Sequence, residues 1–161
     1  MKDRTPATNA TIRTGTIAEL QTFASFWLAM FEEAAILRER DLAAGWRGRF
    51  CDYLGERIKA GEARFFVAVD NAEIVGTAGA IVADGYAYVI HRIKRGYIFG
   101  VRVAPAHRHR GIARRLTEEA IAFLRQCGCA KIRLHASPLG RRIYERLGFR
   151  PTNEMELAQE R

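Results

Sequence analysis

Residues 97–127 leave the chain few ways to fold. Residues 97–103 (YIFGVRV) are rich in β-branched and aromatic side chains and read as a strand, closed by Ala104-Pro105. Past Gly111, the residues Ile112, Leu116, Ala120, Phe123, Leu124 and Cys127 recur on one face at helical spacing, and Gly128 stops the pattern. Between strand and helix lies only a short basic turn, His107-Arg108-His109-Arg110. A strand that passes so directly into an amphipathic helix commits this part of the chain to an α/β arrangement.

The flanks agree. Residues 11–13 read as a short first strand. Thr16 followed by Glu19 fits a capping box, and Leu20, Phe23, Trp27, Met30 and Phe31 continue at helical spacing. A second helix is expected over 46–60, with Phe50, Leu54 and Ile58 on one face and Gly61 at its end. Residues 64–69 (RFFVAV) and 74–82 form a hairpin around the turn Asp70-Asn71-Ala72-Glu73. Residues 84–96 read as a polar, basic loop carrying Tyr86, Tyr88 and His91. A strand over 131–136 (KIRLHA), a short helix over 138–147 ended by Gly148, and a final hairpin of FRPT and EMEL complete the chain. The expected fold class is α/β: a mixed, mostly antiparallel central sheet flanked by helices. Its 161 residues suit one domain, 1–161, with the first ten residues as a disordered tail.

No apolar run reaches the roughly 18 residues a membrane helix needs, and residues 1–14 lack an apolar signal-peptide core. The expectation is a cytoplasmic protein with no membrane contact. Cys127-Gly-Cys129 is one residue short of the CxxC spacing of redox and zinc sites, so inert thiols and no metal site are expected.

Charge is unevenly placed. The chain carries 26 basic and 18 acidic residues. Eight of the basic ones (Arg92, Lys94, Arg95, Arg102, Arg108, Arg110, Arg114, Arg115) fall between His91 and Arg115 with no acid among them, and setting them aside leaves 18 against 18. A solvated charge run is the bland explanation. A polyanion site is the sharper one.

The turn has the chemistry for such a site. The first N–H groups of a helix lack internal partners and sit at the positive end of its dipole. A pyrophosphate can accept several of these hydrogen bonds together. Gly111 and the small Ala113 let the backbone approach the phosphates. Arg108, Arg110 and Arg114 add positive charge. The segment is neither a Walker loop nor a dinucleotide fingerprint, since GK[ST] and GxGxxG are both absent.

Arg108-His109-Arg110-Gly111-Ile112-Ala113 resembles the R/Q-x-x-G-x-G/A motif of the GNAT superfamily of acetyl-CoA-dependent N-acyltransferases. Ile143-Tyr144-Glu145-Arg146-Leu147-Gly148-Phe149, in which Tyr144 stands 36 residues after Arg108, looks like the superfamily's LYEKLGF segment. The resemblance covers roughly residues 64–157. The N-terminal third shares only the general strand-helix-helix pattern.

The resemblance implies a sheet whose two central strands splay apart to admit the pantetheine arm of acetyl-CoA. By similarity, the backbone of Val101 and Val103 faces that cosubstrate, while Arg108, His109, Arg110, Gly111, Ile112, Ala113 and Arg114, with His107 alongside, bracket its phosphates. The backbone near Val101 is placed to polarise the thioester carbonyl. Tyr144 matches the position that often protonates the departing thiolate. Two departures stand out. Where many relatives have an asparagine after the second splayed strand, this chain has His135-Ala136-Ser137-Pro138, so Ser137 is the candidate for the pantetheine amide. Where many have a central-strand glutamate, residues 97–103 contain no acid. The base is therefore open among Glu32, Glu33, His91 and His135, with water as a further route. Direct transfer needs no acyl-cysteine.

The implied activity is acetyl transfer from acetyl-CoA to a primary amine, with a small molecule as the favoured acceptor. Acetylation of a protein or aminoacyl-tRNA amine, and a non-catalytic nucleic-acid-binding module, remain as alternatives. Nucleic acid is the less favoured partner, since no helix-turn-helix, RRM or zinc-finger pattern is present. A homodimer, a common assembly in the superfamily, is left open.

Overall fold

The computed structural model describes residues 9–83, Val89 and residues 93–157. Tyr86, Tyr88, His91 and Arg92 of the polar loop lie outside the described residues, as does most of the expected N-terminal tail; Ala10 is already buried.

The elements are β1 (Thr11–Thr14), α1 (Leu20–Glu33), α2 (Trp46–Lys59), β2 (Ala63–Asp70), β3 (Glu73–Val82), β4 (Lys94–Val103), α3 (Ile112–Gln126), β5 (Cys129–Leu134) and α4 (Arg141–Arg146). The five strands form one open sheet in the order β1-β2-β3-β4-β5. Neighbours are antiparallel except β4 and β5, which are parallel. A parallel pair needs a crossover, and α3 supplies it.

Helices cover both faces. Ile112, Leu116, Ala120 and Leu124 of α3 pack against Ala78, Ala80, Ile98 and Val103. Burying each of the larger ones stabilises the fold by roughly 1.5–3 kcal/mol. On the opposite face Leu20 and Phe23 of α1 and Leu54 of α2 cover Phe65 and Val67. Phe23 stacks on Phe65 at 5.0 Å.

Several boundaries differ from the sequence expectation. α1 is preceded by a 3-10 turn, Ile17–Glu19, held by the Thr16 N–H donating to Glu19 Oε2 at 2.8 Å. β4 starts at Lys94, inside the expected loop, because its first residues pair with β5. β5 occupies 129–134 rather than 131–136. Gly128, at φ +81, turns the chain directly into the strand, and the parallel ladder ends at Ile98 and Leu134. His135 and Ala136 thus lie past the sheet. α4 is shorter than expected because Ser137 and Gly140 form a turn ahead of it.

The final hairpin does not form: residues 149–157 contain no strand. Pro151 has no N–H for a ladder, and it constrains Arg150 before it. The segment instead runs beside the outer edge of β5, where Glu154 pairs with Arg133. Two clefts lie along that edge, between β5 and residues 147–153.

Candidate active site

Pairing between β4 and β5 stops at Ile98 and Leu134, yet β4 continues to Val103. Beyond Ile98 one edge of β4 faces a gap instead of a strand. Val101 and Val103 both lie on this free stretch.

β4 also bends there. Between the pairs Thr77–Arg102 and Gly79–Phe99, two β4 residues, Gly100 and Val101, stand opposite the single β3 residue Ala78, which is the mark of a bulge. Gly100 sits in it at φ +60, a conformation suited to glycine. A Cβ on Gly100 would also come within 2.8 Å of the Phe23 ring. The fully buried Thr77 hydroxyl donates to the Gly100 carbonyl at 2.9 Å. The bulge shifts the side-chain alternation: Ile98, Val101 and Val103 face α3, while Phe99 and Arg102 face α1.

The turn after β4 is a 3-10 segment, Pro105–His107, followed by two left-handed residues, His109 at φ +61 and Gly111 at φ +75. A non-glycine residue at positive φ is uncommon, and such positions cluster at functional sites. The Arg115 N–H bonds the Gly111 carbonyl at 3.1 Å, and the amides of residues 109–114 bond to no other described residue. These donors form the open N-terminus of a 15-residue helix. A Cβ at Gly111 would meet nothing within 4 Å, so the glycine faces open space and its surroundings suit a ligand's close approach. Ile112 contributes only its backbone, because its side chain is buried under the sheet.

The basic side chains are less free than their count suggests. Arg108 donates through Nε to the Val103 carbonyl at 2.9 Å and through Nη2 to Glu33 Oε2 at 2.6 Å. Arg102 donates to Glu33 Oε1 at 2.5 Å and lies over the Phe26 ring. Arg114 pairs with Glu118 at 2.9 Å, and Arg115 donates to the Ala10 carbonyl at 2.8 Å. Arg110 has no ion-pair partner among the described residues. Below the turn, His107 Nε2 lies 3.4 Å from Asp70 Oδ2, and its buried Nδ1 is unpaired.

Of the base candidates, Glu33 is poorly suited. Burial alone would raise its pKa, but hydrogen bonds from Arg102 and Arg108 outweigh this and hold it below the ordinary carboxylate value. Glu32 accepts the Glu39 N–H at 3.3 Å. His135, exposed just beyond β5, is hydrogen-bonded to Tyr97 through Nδ1.

Tyr144 is 8% exposed on α4, edge-on to Phe149 at 6.0 Å, and burial pushes its pKa up to about 12. It stays protonated at any physiological pH and is a standing hydrogen-bond donor. The same burial makes full proton release harder, so the phenol is better suited to donating a hydrogen bond than to giving up its proton. Ser137 lies near it: a Cβ on Gly140 would touch both the Tyr144 ring and Ser137 Oγ. The Ser137 oxygen accepts the Gly140 N–H at 3.1 Å, which leaves the hydroxyl proton free to donate.

Residues 23–149 match the profile of the Acetyltransferase (GNAT) family. The chain belongs to this family. The GNAT chain is 31% identical to a GCN5-related N-acetyltransferase from Ralstonia eutropha JMP134, with a TM-score of 0.79 over 94% of this chain and 99% of that one. It is 21% identical to a protein described as a predicted acetyltransferase with acetyl-CoA from Clostridium acetobutylicum, with a TM-score of 0.81 over 93% and 96% of the two chains. The latter likeness speaks to fold. It is also 32% identical over 93 residues to human N-acetyltransferase 8B, a match covering 56% of this chain and 40% of that protein. Among the described residues, no helix of the GNAT chain is long and apolar enough to cross a membrane.

Two parts of this GNAT site escaped the sequence reading. For Thr77 the available signal is a single polar residue within the otherwise apolar stretch 74–82. Glu33 was considered only as a base, and nothing local in sequence ties it to Arg108.

Proposed function

We propose that this domain transfers the acetyl group of acetyl-CoA to a primary amine by direct attack, with a small molecule as the favoured acceptor and the cytoplasm as the site of action. The observation that carries this reading is the open helix N-terminus at the mouth of the β4–β5 gap. The residues fit the cosubstrate: unpaired amides from 109 to 114 suit a pyrophosphate, Gly111 faces open space, and the unpaired edge of β4 suits an amide-bearing pantetheine. When bound, acetyl-CoA supplies an activated thioester.

The chain's own residues would then do three things. The turn's amides and Arg110 hold the phosphates. The bulge at Gly100 and Val101 aims main-chain donors at the carbonyl oxygen, where negative charge grows during attack. Tyr144 donates its hydrogen bond to the departing sulfur. The nucleic-acid alternative draws less support, because Glu33 and Glu118 partly neutralise Arg102, Arg108 and Arg114.

Release of free thiol from acetyl-CoA tests this reading across amines, amino sugars, peptides and aminoacyl-tRNA. Amine-dependent release is expected. Release that no acceptor accelerates would overturn it.

A further inference from the structure

The transfer proposed above lacks a group to take the amine's proton. Of the acids near the site, Glu33 is committed to two arginines, Glu32 accepts the Glu39 N–H, and β4 carries none. Tyr97 and His135 stand where such a group is needed. Tyr97 is the β4 residue immediately before the last parallel pair, Ile98 with Leu134, and His135 is the first β5-side residue beyond it. Their side chains meet across the two strands, Tyr97 Oη against His135 Nδ1, with the rings edge to face at 5.8 Å. The pair closes the bottom of the gap between β4 and β5.

Its face is fixed by the strand's alternation. Ile98 packs under α3, while Phe99 meets Phe23 of α1 at 5.6 Å. Tyr97 shares the Phe99 side. Resting on the transfer reading, we propose that Tyr97 and His135 form the general-base relay of this site.

The relay balances as follows. The amine nitrogen forms its bond to the acetyl carbon and passes one proton to Tyr97 Oη. The phenolic proton moves to His135 Nδ1, which becomes an imidazolium. The C–S bond breaks with its electron pair leaving on sulfur. His135 is exposed and returns its extra proton to water. The tyrosine need never become a free phenolate. That suits its surroundings, since burial raises the Tyr97 pKa against the opposing hydrogen bond at His135. With Nδ1 accepting from Tyr97, the neutral imidazole carries its proton on Nε2. Arg133, opposite Tyr97 in register, is paired with Glu154, and no carboxylate among the described residues bonds either member of the pair.

The test uses wild type, Tyr97→Phe, His135→Asn and the double variant, with ethanolamine, glucosamine, lysine and an alanine-initiated peptide as acceptors. Each single variant is expected to lower kcat by about a hundredfold, the scale of general-base catalysis. The acetyl-CoA KM and the melting temperature are expected to hold. The double variant is expected to lose no more than either single one, because the two residues act as one unit. An unchanged kcat in Tyr97→Phe, or losses that multiply in the double variant, would overturn the relay. Absence of thiol release by wild type with every acceptor would overturn the transfer reading and the relay with it. A second readout needs no acceptor. Nitrogen NMR of the free protein should show His135 with Nδ1 accepting and its signals shifting in Tyr97→Phe; unchanged signals would exclude the pair.

Discussion

Glu33 Oε2 lies 2.6 Å from Arg108 Nη2, which ties the last residue of α1 to the turn that leads into α3. The same carboxylate holds Arg102 of β4. α1, β4 and the turn therefore share one ion cluster. Glu33 also withholds positive charge from the turn proposed above to hold phosphates.

Glu33→Gln is expected to release Arg108. Acetyl-CoA affinity should rise about threefold at low salt, and the gain should shrink as ionic strength increases. Stability should fall by about 1–2 kcal/mol, because Arg102 is largely buried and would lose its charge partner. Calorimetric titration at two salt concentrations and a denaturant melt check both. Weaker binding would mean that the clamp presents Arg108 to the phosphate instead.

Thr77→Val removes the hydroxyl that holds the Gly100 carbonyl and keeps the side chain's shape. A buried carbonyl left unpaired costs about 1–3 kcal/mol. If the bulge aims main-chain donors at the thioester, kcat should fall while the acetyl-CoA KM stays close to wild type. Thr77→Ser should restore kcat. Equal kcat in all three would separate the bulge from catalysis.

Tyr144→Phe should lower kcat by about tenfold and leave acetyl-CoA affinity unchanged. The phenol, with its pKa raised to about 12, stays neutral across the ordinary range. It should therefore impose no loss of kcat between pH 8 and 10, a range that stays about two units or more below that value. A Tyr144-dependent alkaline limb in the pH–rate profile would contradict this assignment.

Glu19 provides the clearest pH signature of stability. Hydrogen bonds from Arg13 and then from the Thr16 N–H bring its pKa down from 4.5 to about 2. A lowered carboxylate stabilises the fold above its unfolded value, and this contribution is lost as pH falls from 4.5 toward 2. Glu19→Gln should flatten that part of the acid denaturation curve. Its cost at neutral pH should be only about 0.5–1 kcal/mol, given the exposure of Arg13.

Periodicity made α3 legible, because its packing partners recur at fixed spacing and its ends carry glycines at φ +75 and +81. The turn ahead of α3 was legible for the same local reason. The Glu33–Arg108 pair was not, since its members lie 75 residues apart and meet only when α1 folds over β4. Thus three arginines of the acid-free segment, Arg102, Arg108 and Arg114, are paired with carboxylates, while Arg110 has no such partner among the described residues. Tyr97 was hidden as an ordinary strand residue until the parallel ladder set it beside His135. At the C-terminus, FRPT and EMEL alternate polar and apolar residues, but Pro151 cannot donate to the edge of β5 and the hairpin does not form.

The most direct test of the pyrophosphate assignment compares binding of acetyl-CoA with that of S-acetylpantetheine, which shares the thioester and arm but lacks the nucleotide phosphates. Calorimetric titration should give acetyl-CoA at least about a tenfold advantage, the worth of one net charge-assisted hydrogen bond. Gly111→Val, which blocks close approach and strains a backbone at φ +75, should erase that advantage. Equal affinities in the wild-type protein would contradict the claim that the turn from Arg108 to Ala113 holds the phosphates.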